Sequence, residues 1–513
     1  MSFKLKYTWL LLFLFAFVAC DDDDDNPSDK KVALVPGSAD FNTYVSLGNS
    51  LTAGFTDNAL FIAAQNNSFP NILAEKFALV GGGEFTQPLT NDNVGGLLLG
   101  GNVISNPRLF FNGSGPQVLP GTPTTEVSNI QAGPYNNMGV PGAKSFHLLA
   151  PGYGNIAGLQ QGLANPYFVR MASNPNTSVI ADAMALNPTF FTLWVGNNDV
   201  LGYATTGGDG SNPITDDATF NGSISAIVTT LTSQGAKGVM ANIPDVTTIP
   251  FFTTVPYNPL SPSNPDFAAQ IPLLNQTFAQ LNQAFAFLGV PERSVVYSET
   301  QASPVLIYDE SLTDISAQLM QVLMAGGLDQ QTAFLLSSQF GQSRQANQND
   351  LLSLPSSSII ATVNTQYFQQ LVGLGVPAQQ AGQLAVNGVT YPLRDNWVLI
   401  PSEQEEVKNA TDRFNNVIKS AADNAGLAFV DANTLLKQLS TSGIESGNYI
   451  LTSDLVRGGA FSLDGVHLTA RGYGLVANEM MKAIDKTYGS NFEEAGELVD
   501  VGEYPTNYNP ALQ

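Results

Sequence analysis

Apolar positions along the chain fall into short unbroken runs, separated by stretches with a spacing of three to four residues. Tyr44 to Leu47, Thr189 to Val195, Gly238 to Asn242 and Leu427 to Val430 have strand length, and their lack of alternation predicts strands buried on both faces. Between them, Val407, Ala410, Phe414, Val417 or Ile418, and Ala421 recur at helical spacing. Acidic residues fill the first turn of that segment and Ser402 is placed to cap it, while Gly426 is expected to end it just before the strand at Leu427. Val476, Met480, Met481 and Ile484 mark another helix near the C-terminus. Strands alternating with helices predict an α/β fold, a parallel sheet covered on both faces.

Two regions break this rhythm. Residues 81–133 are dense in Gly, Asn, Pro and Thr without periodicity, and read as long loops or short hairpins. Residues 256–392 open on a Pro- and Asn-rich loop and continue into helical pattern after Pro265 and from Leu312 to Phe340. This second insertion reads as a small helical subdomain packed on the sheet, or as a cap over a substrate site. No fixed-period repeat is visible, so one large domain over residues 40–485 with two insertions is expected. Residues 486–513, with Pro505 and Pro510, read as an extended tail.

Composition narrows the function. The chain has 513 residues with 12% charged and a net charge of −23, a balance that repels phosphate backbones and argues against a nucleic-acid partner. A single cysteine rules out an intramolecular disulfide framework, and its position is informative. Lys4 and Lys6 precede an apolar run from Trp9 to Ala19 that is too short to span a membrane, the pattern of a signal peptide over residues 1–19. The run ends at Val18-Ala19-Cys20, which resembles the lipobox of bacterial lipoproteins, with Phe17 where Leu is usual. The resemblance implies lipidation at Cys20 and attachment to the membrane by the lipid alone. Asp21 to Asp25 and the residues to 39 then form an acidic tether. That acidic run is similar to the export signal of surface lipoproteins of the Bacteroidota. It implies an outer-membrane protein facing the cell surface, the alternative being one that faces the periplasm.

Candidate chemistry is constrained by scarcity. His147 and His467 are the two histidines, and no HExxH occurs, so no metal or other cofactor is expected. His467 closes Asp464-Gly465-Val466-His467, where a carboxylate three residues earlier, across a turn opened by glycine, can reach Nδ1 and fix the tautomer. His147 has no acidic neighbour in sequence and is expected to be structural or to line a pocket. Ser50 follows a strand within Gly48-Asn49-Ser50-Leu51, at the carboxyl edge where open α/β sheets bind ligands, and no G-x-S-x-G is present.

These segments, taken in order, resemble the SGNH (GDSL-type) hydrolases. Gly48-Asn49-Ser50-Leu51 is similar to the family's GDSL block, Asn137 to Gly142 to its second block, Gly196-Asn197-Asn198-Asp199 to its G-x-N-D block, and Asp464 to His467 to its D-x-x-H block. The resemblance implies a doubly wound, flavodoxin-like α/β/α core and a serine esterase or acylhydrolase acting on lipid, aryl or carbohydrate esters. It assigns Ser50 as nucleophile, His467 as base and Asp464 as its orienter. The Ser50 and Gly142 amides and the Asn198 side chain would form the oxyanion hole. Asn49 stands where the family usually has Asp, which removes a charge beside the nucleophile and none of the catalytic groups. Substrate choice is expected to lie in the insertions. A non-catalytic glycan- or lipid-binding lipoprotein on the same fold, and a transacylase, are the competing readings.

Overall fold

A computed structural model describes residues 32–513. The segment expected to be a signal peptide, Cys20 and Asp21 to Asp25 lie outside the described residues. The central sheet has five strands, β1 (Tyr44–Gly48), β2 (Asn137–Gly139), β3 (Phe190–Trp194), β4 (Lys237–Ala241) and β5 (Ala428–Val430). Every pairing is parallel and the order across the sheet is β2-β1-β3-β4-β5. Parallel neighbours require crossovers, which cover the sheet and leave strands without a polar side; β1, β2 and β3 are accordingly buried at every residue.

Four strands coincide with the apolar runs to within a residue or so. β2 was not foreseen, because Asn137-Met138-Gly139 is too short and too polar to stand out. Its register against β1 is reinforced by the Asn137 side chain, whose Nδ2 donates to the Thr52 carbonyl and whose Oδ1 accepts from Gly139 N–H.

The helices that flank the sheet and carry the site are α1 (Ser50–Ala53), α2 (Phe69–Ala78), α3 (Asn197–Thr205), α4 (Asp217–Thr232), α5 (Pro401–Asn424), α6 (Ala432–Thr441) and α7 (Ala470–Tyr488). α7 packs on α2 and lies across β4 and β5, while α5 covers the same two strands and packs on α4. The Phe220 and Phe414 rings stack at 3.9 Å between α4 and α5, and Val407, Ala410, Phe414 and Ile418 form the buried stripe read from the sequence. α5 starts earlier than expected. Pro401 occupies its first turn, Ile400 is the cap residue, and Glu403 Oε2 accepts from Ile400 N–H at 2.7 Å. Ser402 is therefore inside the helix; the fixed φ of proline had already begun it.

The first insertion contains two hairpins, Leu97–Leu99 with Asn102–Ser105 and Leu109–Phe111 with Pro116–Val118. The second contains helices at Ile271–Phe287, Ser316–Ala325, Gln330–Phe340 and Thr365–Gly373, among others. These gather around a core of their own that includes Phe278, Phe285, Tyr297, Leu319 and Phe340. No helix among the described residues is long and apolar enough to cross a membrane.

Residues 486–513 depart from the extended tail expected of them. Phe492 and Val501 are fully buried, and the Tyr508 ring packs edge-on against Phe61 at 4.9 Å. The end of the chain is pinned by Arg108 of the first insertion, which is 0% exposed. Arg108 donates to the carbonyls of Asn93, Leu109, Tyr508, Asn509 and Leu512. Single apolar residues many positions apart carry no period, so pattern reading misses them although each fills a gap in the domain. At the other terminus, Val35 N–H donates to Asn491 Oδ1, Asn491 Nδ2 to the Ala33 carbonyl, and Ser38 N–H to the Tyr488 carbonyl. Residues 33–38 are thus seated where α7 ends.

Candidate active site

The strand order reverses between β1 and β3, and the crevice beyond the carboxyl ends of strands at such a point is where open α/β sheets place ligands. Ser50 lies there, at the first residue of α1 and 6% exposed. Backbone packing dictates the residue two before it: a Cβ on Gly48 would stand 2.4 Å from the Trp194 carbonyl oxygen and 2.2 Å from Thr52 Oγ1. Asn49 is buried and caps α1, its Oδ1 accepting from Leu51 N–H at 3.0 Å. An amide oxygen caps the helix as a carboxylate would.

The loop before α7 brings the histidine to the serine. His467 Nε2 lies 2.9 Å from Ser50 Oγ, and Nδ1 lies 2.8 Å from Asp464 Oδ2. An ionised carboxylate only accepts, so Nδ1 carries the proton and Nε2 is left to accept from the serine hydroxyl. Gly465 has φ +73°, the left-handed turn that lets the carboxylate face the ring three residues on. Asp464 Oδ1 also accepts from Val466 N–H, His467 N–H and Ser462 Oγ, and Oδ2 from Asn58 N–H. Burial alone would push the Asp464 carboxyl up; the His467 ring and these donors hold it well below the usual carboxylate range. Phe55 lies against the His467 ring with centroids 4.6 Å apart, and its carbonyl accepts from Tyr473 OH.

Asn58, Asp57 and Ser462 were not picked out by sequence reasoning. Thr56 and Ala59 exchange backbone hydrogen bonds around Asp57 and Asn58, whose φ values are +51° and +62°. Asp-Asn is a residue pair that tolerates this left-handed turn, and that was the available signal. The turn grips the acid loop from several sides. Besides the Asn58 contact, Asp57 N–H donates to Ser462 Oγ and Asp57 Oδ1 accepts from Leu463 N–H. Asp57 is 2% exposed; burial, reinforced by the neighbouring Asp464, pushes its carboxyl up to about 7 against the opposing Leu463 N–H and Arg108.

The remaining site residues arrive from the next two crossovers. Gly142 takes φ +81°, and a Cβ there would meet nothing closer than 3.8 Å, so conformation and not space calls for glycine. Among the described residues, no hydrogen bond engages the Ser50 or Gly142 amide. Asn198 Nδ2 donates to the Ala143 carbonyl at 2.9 Å, which ties it to the Gly142 loop and leaves its second N–H free to point elsewhere. Asp199, fully buried, locks the same loop from below: its carboxylate accepts from Ser145 N–H and Ser145 Oγ, both at 2.8 Å. His147 is not part of this cluster. Its Nδ1 accepts from Lys144 N–H, its ring stacks on Tyr153 at 4.5 Å, and burial together with Lys144 pulls it down to about 4.

A serine hydroxyl backed by an oriented imidazole is an arrangement in which the ring can take the hydroxyl proton. If Asn198 serves as an oxyanion donor, as the sequence resemblance implies, Asn198→Ala is expected to lower kcat by about 10²- to 10³-fold with KM little changed, since such a donor acts on charge that develops only in the transition state. Steady-state kinetics on an activated ester checks this, with thermal melting to verify the fold. No group of His, Cys, Asp and Glu that could hold a metal ion occurs among the described residues. A pocket opens at Ser50 and runs between α6, α7 and the ends of β3 and β4; neither insertion lines it. The walls of this pocket are residues of the central domain. Comparison with protein-family models, with curated proteins and with solved structures finds no match to this chain.

Proposed function

We propose that the chain is a serine ester hydrolase of the SGNH type, anchored to the outer membrane through Cys20 and facing the cell surface. The observation that carries the reading is the unbroken line from Ser50 Oγ through His467 to Asp464 at the carboxyl edge of the sheet. The β2-β1-β3-β4-β5 order supports it, since that is the doubly wound, flavodoxin-like order with its ligand crevice beside β1.

In the reaction, His467 Nε2 takes the Ser50 proton as Oγ bonds to the ester carbonyl carbon. The oxyanion meets the Ser50 and Gly142 amides and Asn198. His467 then passes its proton to the departing alkoxide, the ester C–O bond breaks, and an acyl-Ser50 remains. Water, deprotonated by the same nitrogen, attacks the acyl carbon; the proton returns to Oγ and a carboxylic acid leaves. Atoms and charge balance without a metal or cofactor.

The full chain is to be assayed on p-nitrophenyl esters and acetylated xylan, and treated in parallel with an alkyl fluorophosphonate. Turnover with a single covalent adduct on the peptide containing Ser50 is the expected result. A folded protein that neither hydrolyses any of these esters nor takes the label would overturn the proposal in favour of a binding lipoprotein.

A further inference from the structure

Ser50 and His467 stand 417 residues apart in the chain, so contacts across the fold have to fix their alignment. One short segment touches all three groups of the line. Ser50 begins it, and the Phe55 ring lies against the His467 ring with centroids 4.6 Å apart. Asn58 N–H then donates at 2.8 Å to Asp464 Oδ2, the same oxygen that faces His467 Nδ1. We infer that the Asp57-Asn58 turn holds the acid and the base in line with the nucleophile, with Asp57 and Asn58 as positioning residues; the inference rests on Ser50 being the nucleophile.

The turn grips three consecutive residues of the acid loop. Ser462 Oγ accepts from Asp57 N–H, Leu463 N–H donates to Asp57 Oδ1, and Asp464 is met by Asn58 N–H. Ser462 Oγ in turn donates to Asp464 Oδ1. Holding three successive residues fixes the rotation of the loop as well as its distance. The turn is itself braced: Thr56 and Ala59 exchange backbone hydrogen bonds at 3.1 and 3.0 Å, and Leu109 N–H of the first insertion donates to the Asp57 carbonyl at 2.7 Å. Asp57 and Asn58 take φ +51° and +62° in succession, a conformation that these residue types tolerate and β-branched ones do not. A second charged carboxylate would compete with Asp464 for the imidazolium. Burial, opposed by Leu463 N–H and Arg108 and reinforced by Asp464, keeps the Asp57 proton on up to about 7, so that Asp57 serves as a neutral acceptor.

Misplacing a reacting group by about 1 Å costs about 10²-fold in rate. Asp57→Ala takes the acceptor from Leu463 and is expected to lower kcat by about 10- to 10²-fold with KM within about twofold, since no substrate contact is removed. Asp57→Asn keeps an uncharged acceptor of the same size and is expected to restore kcat to within about threefold of the parent. The Asn58 side chain is exposed, so substitutions there act through the backbone. Asn58→Gly retains the left-handed turn and should follow Asp57→Asn, whereas Asn58→Val opposes φ +62° and should follow Asp57→Ala.

The full chain and these four variants are to be assayed on a p-nitrophenyl ester beside Ser50→Ala, and examined by proton NMR for the downfield resonance of the proton between Asp464 and His467. His147 Nδ1 accepts from Lys144 N–H, so the resonance has one source. The expected result is that kcat falls and the resonance shifts or vanishes together in Asp57→Ala and Asn58→Val, and that both are kept in Asp57→Asn and Asn58→Gly. Thermal melting establishes that each variant is folded, and the exposed Asn58 pair decides the matter if Asp57→Ala does not fold. Folded Asp57→Ala and Asn58→Val with parental kcat and an unmoved resonance overturn the positioning role, as does a loss of kcat with the resonance unmoved. Absence of Ser50-dependent turnover in the parent overturns the hydrolase reading instead, and the response of the resonance then still decides whether the turn holds the acid to the base.

Discussion

Ser50→Ala and His467→Ala are each expected to lose about 10⁶-fold in kcat on an activated ester, and Asp464→Asn about 10⁴-fold. The ranking follows from what each group touches. Removing Ser50 removes the bond-forming atom, and removing His467 leaves a hydroxyl with no base at 2.9 Å to take its proton. Asn at 464 still fills the site, but its amide donates toward Nδ1, so the ring proton moves to Nε2 and faces the serine as a donor. The donors now aimed at the carboxylate, from Asn58, Ser462, Val466 and His467, also lose the charge they were arranged to meet. Pre-steady-state kinetics should show no acyl burst for Asp464→Asn. The Ser50→Ala, His467→Ala double variant should be little worse than either single one, because the groups act as a unit. Equal additive losses would mean that the serine and histidine act separately.

Arg108→Met is expected to destabilise the protein by about 3–5 kcal/mol, the usual cost of removing one member of a buried polar constellation. Five carbonyls lose their shared donor and Asp57 loses the cation that opposes its burial. Denaturant titration reads the change, and limited proteolysis should show residues 508–513 released first. The pH dependence has a definite sign. Because Asp57 holds its proton in the fold up to about 7, against an ordinary value of 3.8, its contribution to stability is greatest below about pH 4. That contribution falls as pH rises to about 7 and is level above. In Arg108→Met the fall should extend to higher pH; an unchanged profile would show that the guanidinium does not influence Asp57.

What could be read from the sequence depended on where each signal was stored. Buried parallel strands are runs of apolar residues, so Tyr44–Leu47 and Thr189–Val195 are visible as such. Asp464 and His467 sit three residues apart in one turn, and Ser50 sits directly after a strand; such local relations survive in one dimension. β2 lacked a run, because its position is fixed by partners on β1 and not by its own composition. The Asp57-Asn58 turn and Arg108 act through backbone amides and carbonyls some 400 residues away, which no side-chain pattern records. Leu435 and Leu439 look like an ordinary helix face; only the fold reveals that the space before them opens at Ser50. The helical insertion attracted attention as a cap because its apolar residues lay close together, yet they close on a core of their own.

The seating of residues 33–38 at the far end of α7 fixes a direction. α7 begins just after His467 and has 19 residues, so the point where the N-terminal segment joins the domain lies about 28 Å along that helix from the opening at Ser50. Under the proposal that Cys20 carries the lipid, the tether would therefore join the domain at the end of α7 remote from Ser50.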